Sequence, residues 1–220
     1  MGYGIRAEVW GDYALFSRPE LKTERVSYDV MTPSAARGIL EAVFWHPGLR
    51  WRVDRIYVLN PIRFTNVRRN EVKSKILATS VREAMGGADK LLFLDRKADI
   101  QQRASLVLRD VRYVIEAHFD LTAAAAVDDN PGKFKDIARR RLEKGQCYHQ
   151  PYLGCREFPA HFRLYGEEEV PVAPELQGVR ELGLMLYDMD YTDPADIHPL
   201  FFRAALCDGV LEVAGREVLG

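Results

Sequence analysis

Apolar residues along this chain recur with two different periods, and the switches between them outline its elements. "YGIRAEVWG" (3–11) alternates as a strand does, with Gly11-Asp12 closing it. After a polar stretch to Met31, "TPSAARGILEAVFWHPG" carries helix punctuation: Thr32 as cap, Pro33 in the first turn and Pro47-Gly48 as the stop. Its buried stripe is Ile39, Leu40, Val43 and Phe44. Residues 50–64 are rich in β-branched and aromatic side chains and predict a strand running into a turn at Asn60-Pro61. Residues 65–105 keep no single period and read as an insertion, a hairpin or a partly mobile loop around Gly86-Gly87. From Val111 to Leu121, Tyr113, Ile115, Ala117, Phe119 and Leu121 share one face, and Arg112, Val114, Glu116, His118 and Asp120 share the other. A second helix follows, capped by Asn130, with Pro131 in its first turn and Gly145 past its end. Its stripe is Phe134, Ile137, Ala138 and Leu142, and "REFPAHFRLYG" (156–166) predicts the next strand.

Strand–helix–strand, insertion, strand–helix–strand is the order of a ferredoxin-like unit, with two helices on one face of an antiparallel sheet. The fold class is therefore α+β, with a first domain over 1–166 that contains the insertion at about 65–105. Residues 167–178, with three consecutive Glu and two Pro, read as a linker. Beyond it, "ELGLMLYDMDY" and "GVLEVAGREVL" predict strands of a small antiparallel β-sheet domain over 167–220.

Charge changes this picture. The formal net charge is −1, yet residues 49–75 hold eight Arg or Lys against Asp54 and Glu71, and residues 131–146 hold six against two acids. Residues 166–199 invert the balance, with nine acids against Arg180. Two basic clusters and an acidic tail point to an anionic partner for one side of the molecule and a protein for the other. No secretory leader and no run of 18 apolar residues is apparent, and three cysteines lack metal-type pairing. Those features predict a cytoplasmic protein without a membrane segment.

Phosphate loops of the GxxxxGK[ST] and GxGxxG types are absent, as are HExxH, CxxC and GxSxG. The five histidines are scattered at 46, 118, 149, 161 and 198, so no metal ligand set is predicted. His118 is the candidate for proton transfer, on the polar face of its strand between Glu116 and Asp120; the alternative is a histidine hydrogen-bonded on a sheet face. "YHQPYLGCREF" places Tyr148, His149, Tyr152 and Gly154 after a basic helix, and rings interleaved with positive charge suit unstacked bases. The first helix offers Ser34 and Arg37 near its amino end, where free N–H groups attract anions.

"VWGDYALFSRPE", "ERVSYDVMTPSAARGILEAVFWHP", "NVRRNEV", "EAHF" and "LGCREFP" follow one another along the chain. Together they strongly resemble the CRISPR-associated RAMP-superfamily protein of type I-C systems, from about Ile5 to Tyr165. The resemblance implies a ferredoxin-like domain, an RRM-like (RAMP) unit, followed by a small β-sheet domain. It implies an endoribonuclease that cuts CRISPR repeat RNA without metal or other cofactor, and then retains the 5′ handle of the crRNA in the type I-C surveillance complex. The backbone and large subunits of that complex would be its protein partners.

The family's histidine matches His118. Its tyrosine is replaced by Phe44, and Glu116 and Ala117 stand where its lysine is expected. His46 and Lys133 are the candidates for the missing base and phosphate charge. Arg68, Arg69, Lys73 and Lys75 in the insertion, with Lys135, Arg139, Arg140, Ser34, Arg37 and Tyr152, are the candidate RNA contacts. Two alternatives stay open: a non-catalytic scaffold that binds the crRNA handle, and a non-specific duplex-DNA binder.

Overall fold

The computed structural model describes residues 4–21 and 23–220, so the predicted strand start at Tyr3 lies outside the described residues. The chain runs through β1 (Ile5–Ala14), α1 (Pro33–Val43), β2 (Leu49–Val58), β3 (Phe64–Val72), α2 (Ala78–Met85) and β4 (Ile100–Leu121). It continues through α3 (Pro131–Lys144), β5 (His161–Leu164), β6 (Val179–Asp190), β7 (His198–Cys207), β8 (Val210–Glu212) and β9 (Val218–Leu219). All nine strands join one antiparallel sheet, in the order β5-β1-β4-β2-β8-β7-β6, with β3 added to β4 and β9 to β7.

Local chemistry sets the helices. The Thr32 hydroxyl accepts from the Ala35 N–H at 3.3 Å, and the Asn130 side chain accepts from the Gly132 N–H at 2.8 Å. Gly145 closes α3 in the left-handed conformation at φ 62°, which costs glycine no Cβ clash. Helix α1 ends earlier than the sequence predicts. Phe44 is already extended, so the Pro47-Gly48 pair forms the turn into β2 and not the helix stop. Ile39, Leu40 and Val43 from α1 and Phe134, Ala138 and Leu142 from α3 pack with Ile5, Ala7, Val9, Tyr113, Ile115 and Phe119 in one core. Each large member of those stripes contributes about 1.5–3 kcal/mol by leaving water.

The insertion is a hairpin. Phe64–Val72 pairs with Ile100–Leu108 in unbroken register, so β4 begins eleven residues before the predicted Val111. Helix α2 sits near the hairpin's far end and has no buried residue. Leu77, Met85, Leu91 and Phe93 are all more than 60% exposed there. Asp110, at φ 53°, marks an irregularity within β4, and both Leu108 and Val111 face the core despite their odd separation.

The C-terminal strands do not hang apart from the rest. Backbone pairing of Arg55–Tyr57 with Val210–Glu212 makes them continuous with the sheet through β8. The predicted strand over 156–166 narrows to the four residues of β5, because residues 153–160 form a turn closed by Leu153 N–H to Phe158 O at 2.8 Å.

Candidate functional site

Helices α1 and α3 bury their stripes against the odd-numbered residues of the second half of β4. The even-numbered ones look out from the opposite face. There the register sets Arg6 beside Glu116, Trp10 beside Arg112, and Arg52 beside His118. The face is rich in arginine and held by shared carboxylates. Glu8, 1% exposed, takes both Arg112 and Arg163. Glu116 accepts from Arg6 at 3.2 Å and from the Tyr57 hydroxyl at 3.0 Å. Burial, and then the Glu116 carboxylate, push the Tyr57 hydroxyl above its ordinary range. Trp10 stacks on His161 with ring centroids 5.6 Å apart, and Arg112 and Arg163 lie over its ring.

His118 sits in the middle of this face with a partner that sequence reasoning passed over. Val53 opposes Ala117 and Arg55 opposes Glu116, so Asp54 is an extra residue in β2, a bulge that leaves Asp54 and Arg55 both on the histidine's face. Both carboxylate oxygens lie 2.9 Å from His118 Nδ1. The bulge is pinned from behind, since the Asp54 carbonyl accepts the N–H groups of Val213 and Ala214 at 2.9 and 3.0 Å. A carboxylate can only accept, so Nδ1 carries the proton and Nε2 of the neutral ring is the basic nitrogen. Among the described residues no protein group is hydrogen-bonded to Nε2, and the side chain is 34% exposed. The arrangement is an oriented imidazole facing solvent amid guanidinium groups, able to move a proton next to an anion. A sequence signal for the bulge did exist. The apolar positions of β2 run Leu49, Trp51, Val53 and then Ile56, Val58, a one-residue slip in phase.

The other sequence candidates fall elsewhere. His46 lies on the helix side, its ring 4.8 Å from Phe134, with Nδ1 accepting from the Gly48 N–H at 3.1 Å and 3.7 Å from Asp129. Phe119, the neighbour of His118, faces that same Phe134, so the sheet separates His46 from His118. Phe44 is also on the helix side, 6% exposed, against Phe134 and under the Arg141 guanidinium. Lys133 is exposed on the first turn of α3. His46 and His118 therefore do not converge.

Lys135 and Arg139 line an open cleft of about 520 Å³ together with Arg6 and Glu116, which ties the basic helix to the His118 face. Arg140 is exposed on the same helix. Ser34 and Tyr152 do meet, in a separate cavity of about 340 Å³ with Gly38 and His149. Arg37 is directed away from that cavity. It binds both oxygens of Asp188 at 2.8 Å and Glu41 at 2.6 Å. Burial alone would lower its pKa, but those bonds raise it. Asp188 belongs to the acidic stretch, so that stretch is partly turned inward onto arginine.

On the hairpin, Arg68 and Arg69 project to opposite faces, as neighbours on a strand must. Arg68 is exposed, whereas the Arg69 side chain is 15% exposed and held by Glu157 and Ser105. Lys73 and Lys75 are exposed just beyond β3. No helix among the described residues is long and apolar enough to cross a membrane.

This geometry has close relatives. The family model described as "CRISPR-associated protein (Cas_Cas5)", of the Cas5d type, matches residues 4–214. A protein of Mannheimia succiniciproducens named "CRISPR pre-crRNA endoribonuclease Cas5d" is 51% identical over 97% of this chain and 96% of its own. A Thermus thermophilus protein of the same name is 42% identical over 97% and 92%. A solved structure titled "Crystal Structure of CRISPR-associated Protein" superposes with a TM-score of 0.71 at 23% identity, covering 99% of this chain and 96% of that one. The chain belongs to the Cas5d family of CRISPR-associated proteins.

Proposed function

We propose that this protein is a repeat-processing endoribonuclease that cleaves precursor CRISPR RNA and retains the 5′ handle in a type I-C surveillance complex. The observation that carries the reading is the Asp54–His118 pair on an arginine-rich sheet face. The names of the two relatives support the substrate. The antiparallel order β5-β1-β4-β2, with both long helices on one face, supports a ferredoxin-like unit over 1–166, extended by a small β domain over 167–220.

The chemistry follows from the orientation of the ring. His118 Nε2 accepts the proton of the RNA 2′-hydroxyl, whose oxygen attacks the adjacent phosphorus. The P–O5′ bond breaks, leaving a 2′,3′-cyclic phosphate and an O5′ that takes a proton from water to become a 5′-hydroxyl, while the imidazolium returns its proton to solvent. Asp54 holds the ring in place, and Arg52, opposite His118 in the ladder, supplies charge for the pentacoordinate phosphorus. The RNA supplies its own nucleophile, so the step needs no metal. Lys135 and Arg139 in the adjoining cleft, together with Lys133 and Arg140, hold flanking phosphates. The exposed apolar end of the hairpin supports a second kind of contact, with the protein subunits of the complex.

A scaffold reading draws on Phe44, which has no hydroxyl, and on Ala117 in place of a lysine. The test is incubation with the host's own repeat RNA in EDTA, wild type beside His118→Ala, with the RNA ends mapped. Specific cutting to a cyclic phosphate, reduced about 10²- to 10⁴-fold in the variant, is the expected result. Tight binding without cutting would make the protein a handle-binding scaffold.

A further inference from the structure

Past the middle of the β3–β4 ladder three guanidinium groups share two carboxylates. Arg69 and Arg103 are directly opposite in the ladder. Arg25 enters beside them from the segment whose Val26 bridges to Leu106. Glu71 stands among all three, 3.5 Å from Arg25, 4.0 Å from Arg69 and 3.6 Å from Arg103. Those separations are ion-pair contacts and too long for good hydrogen bonds. Glu157, from the loop before β5, reaches the Arg69 guanidinium, and Ser105 Oγ accepts from its other terminal nitrogen at 3.0 Å. The Nε atoms of Arg69 and Arg103 are buried without a hydrogen-bond partner.

Two features of this cluster ask for a further ligand. Three cations against two anions leave one positive charge over, in side chains only 15%, 23% and 36% exposed for Arg69, Arg103 and Arg25. Each guanidinium also presents five N–H donors in a rigid plane, more than two carboxylates, one hydroxyl and the Cys155 sulfur beside Arg25 can satisfy. A tetrahedral oxyanion fits such a set better than a planar carboxylate, since its oxygens diverge towards several donors at once. The carboxylates differ in how firmly they are placed. Glu71 is part of β3 and 27% exposed, whereas Glu157 is on a loop and 56% exposed.

We propose that Arg25, Arg69 and Arg103 form a seat for one phosphodiester of bound RNA, and that Glu157 occupies it in the free protein and leaves when RNA arrives. The proposal rests on the RNA-binding reading above and adds to it an internal competitor. Glu157 weakens binding of any polyphosphate at this place, so the seat closes on RNA only when neighbouring contacts on the basic surface hold the strand there. Arg68, on the other face of the hairpin, lies outside the seat.

The test is binding of a labelled transcript of the host's own CRISPR repeat across a salt series, for the wild type, Glu157→Gln, Arg69→Gln and the double variant. Melting curves confirm that each is folded. Removing an ion-pair partner should here strengthen binding. Glu157→Gln is expected to tighten it about three- to tenfold at an unchanged log–log salt slope, since the phosphate contact exists in the bound state with or without Glu157, whereas Arg69→Gln flattens the slope by roughly 0.7–0.9, the equivalent of one phosphate contact. Arg69→Gln weakens binding and abolishes the gain in the double variant. An affinity unchanged by Glu157→Gln, or a loss of affinity, would overturn the seat and leave the pair a structural tie between loop and hairpin. Failure of every form to bind, wild type included, would remove the RNA reading itself and the seat with it.

Discussion

Asp54 and His118 are 64 residues apart in sequence, and both Asp54 carboxylate oxygens lie 2.9 Å from the histidine's Nδ1. Strand alternation after core-facing Val53 puts Asp54 on the polar face, and the β-bulge keeps Arg55 on that face beside it. Asp54→Asn keeps the shape but can donate a hydrogen bond to Nδ1, which puts the proton on Nε2 instead. The expected outcome is a loss of cleavage rate of roughly ten- to a hundredfold, the usual range for a group that orients a catalytic ligand. Repeat-RNA affinity should stay unchanged, since Asp54 touches no phosphate. Single-turnover rates and equilibrium binding, measured on one preparation, check both halves.

Phe44 poses the opposite case, a position where chemistry is missing. Its ring packs on Phe134 and under Arg141, across the sheet from His118. Phe44→Tyr is therefore expected to leave the cleavage rate within about threefold. Stability should fall by about 1–3 kcal/mol if the new hydroxyl finds no partner. A tenfold or larger rise in rate would show that a hydroxyl at this position reaches the scissile phosphate after all.

Gly154 sits at φ +83°, and a Cβ there would run into the Leu15 carbonyl and the Phe16 ring. The clash with Leu15 falls on backbone that cannot yield cheaply, since the Leu15 N–H is tied to the Leu153 carbonyl at 3.0 Å. Gly154→Ala is expected to cost about 2 kcal/mol or more. Urea denaturation reads it as a lower midpoint at unchanged slope. A change under about 0.5 kcal/mol would mean that the loop relaxes freely around the cavity holding Ser34 and Tyr152.

Much of the fold was legible because its signals are local. Thr32 and Asn130 cap helices through groups two or three residues away, and the apolar stripes of α1 and α3 repeat within a few turns. The polar face around His118 could also be read, since alternation along a strand is a property of neighbours. The insertion could be read as a hairpin or a loop, but the length and register of the β3–β4 ladder could not. Its residues are mostly half-exposed or exposed, so no hydrophobic period announces them, and their pairing depends on partners 28 to 44 residues on.

Charge behaved differently from apolarity. Arg37, Arg68 and Arg69 look alike in sequence, as basic residues placed to meet an anion. Tertiary structure separates them: Arg37 is bound to Asp188, 151 residues away, Arg69 to Glu157, 88 residues away, and Arg68 stays in solvent. His118 became a candidate by its place on a strand, but its partner Asp54 follows only from the register of β2 against β4. The physical reason is range. Periods and caps act over a few residues and are written in order along the chain, whereas an ion pair needs only two groups within about 4 Å, wherever the folded backbone has carried them.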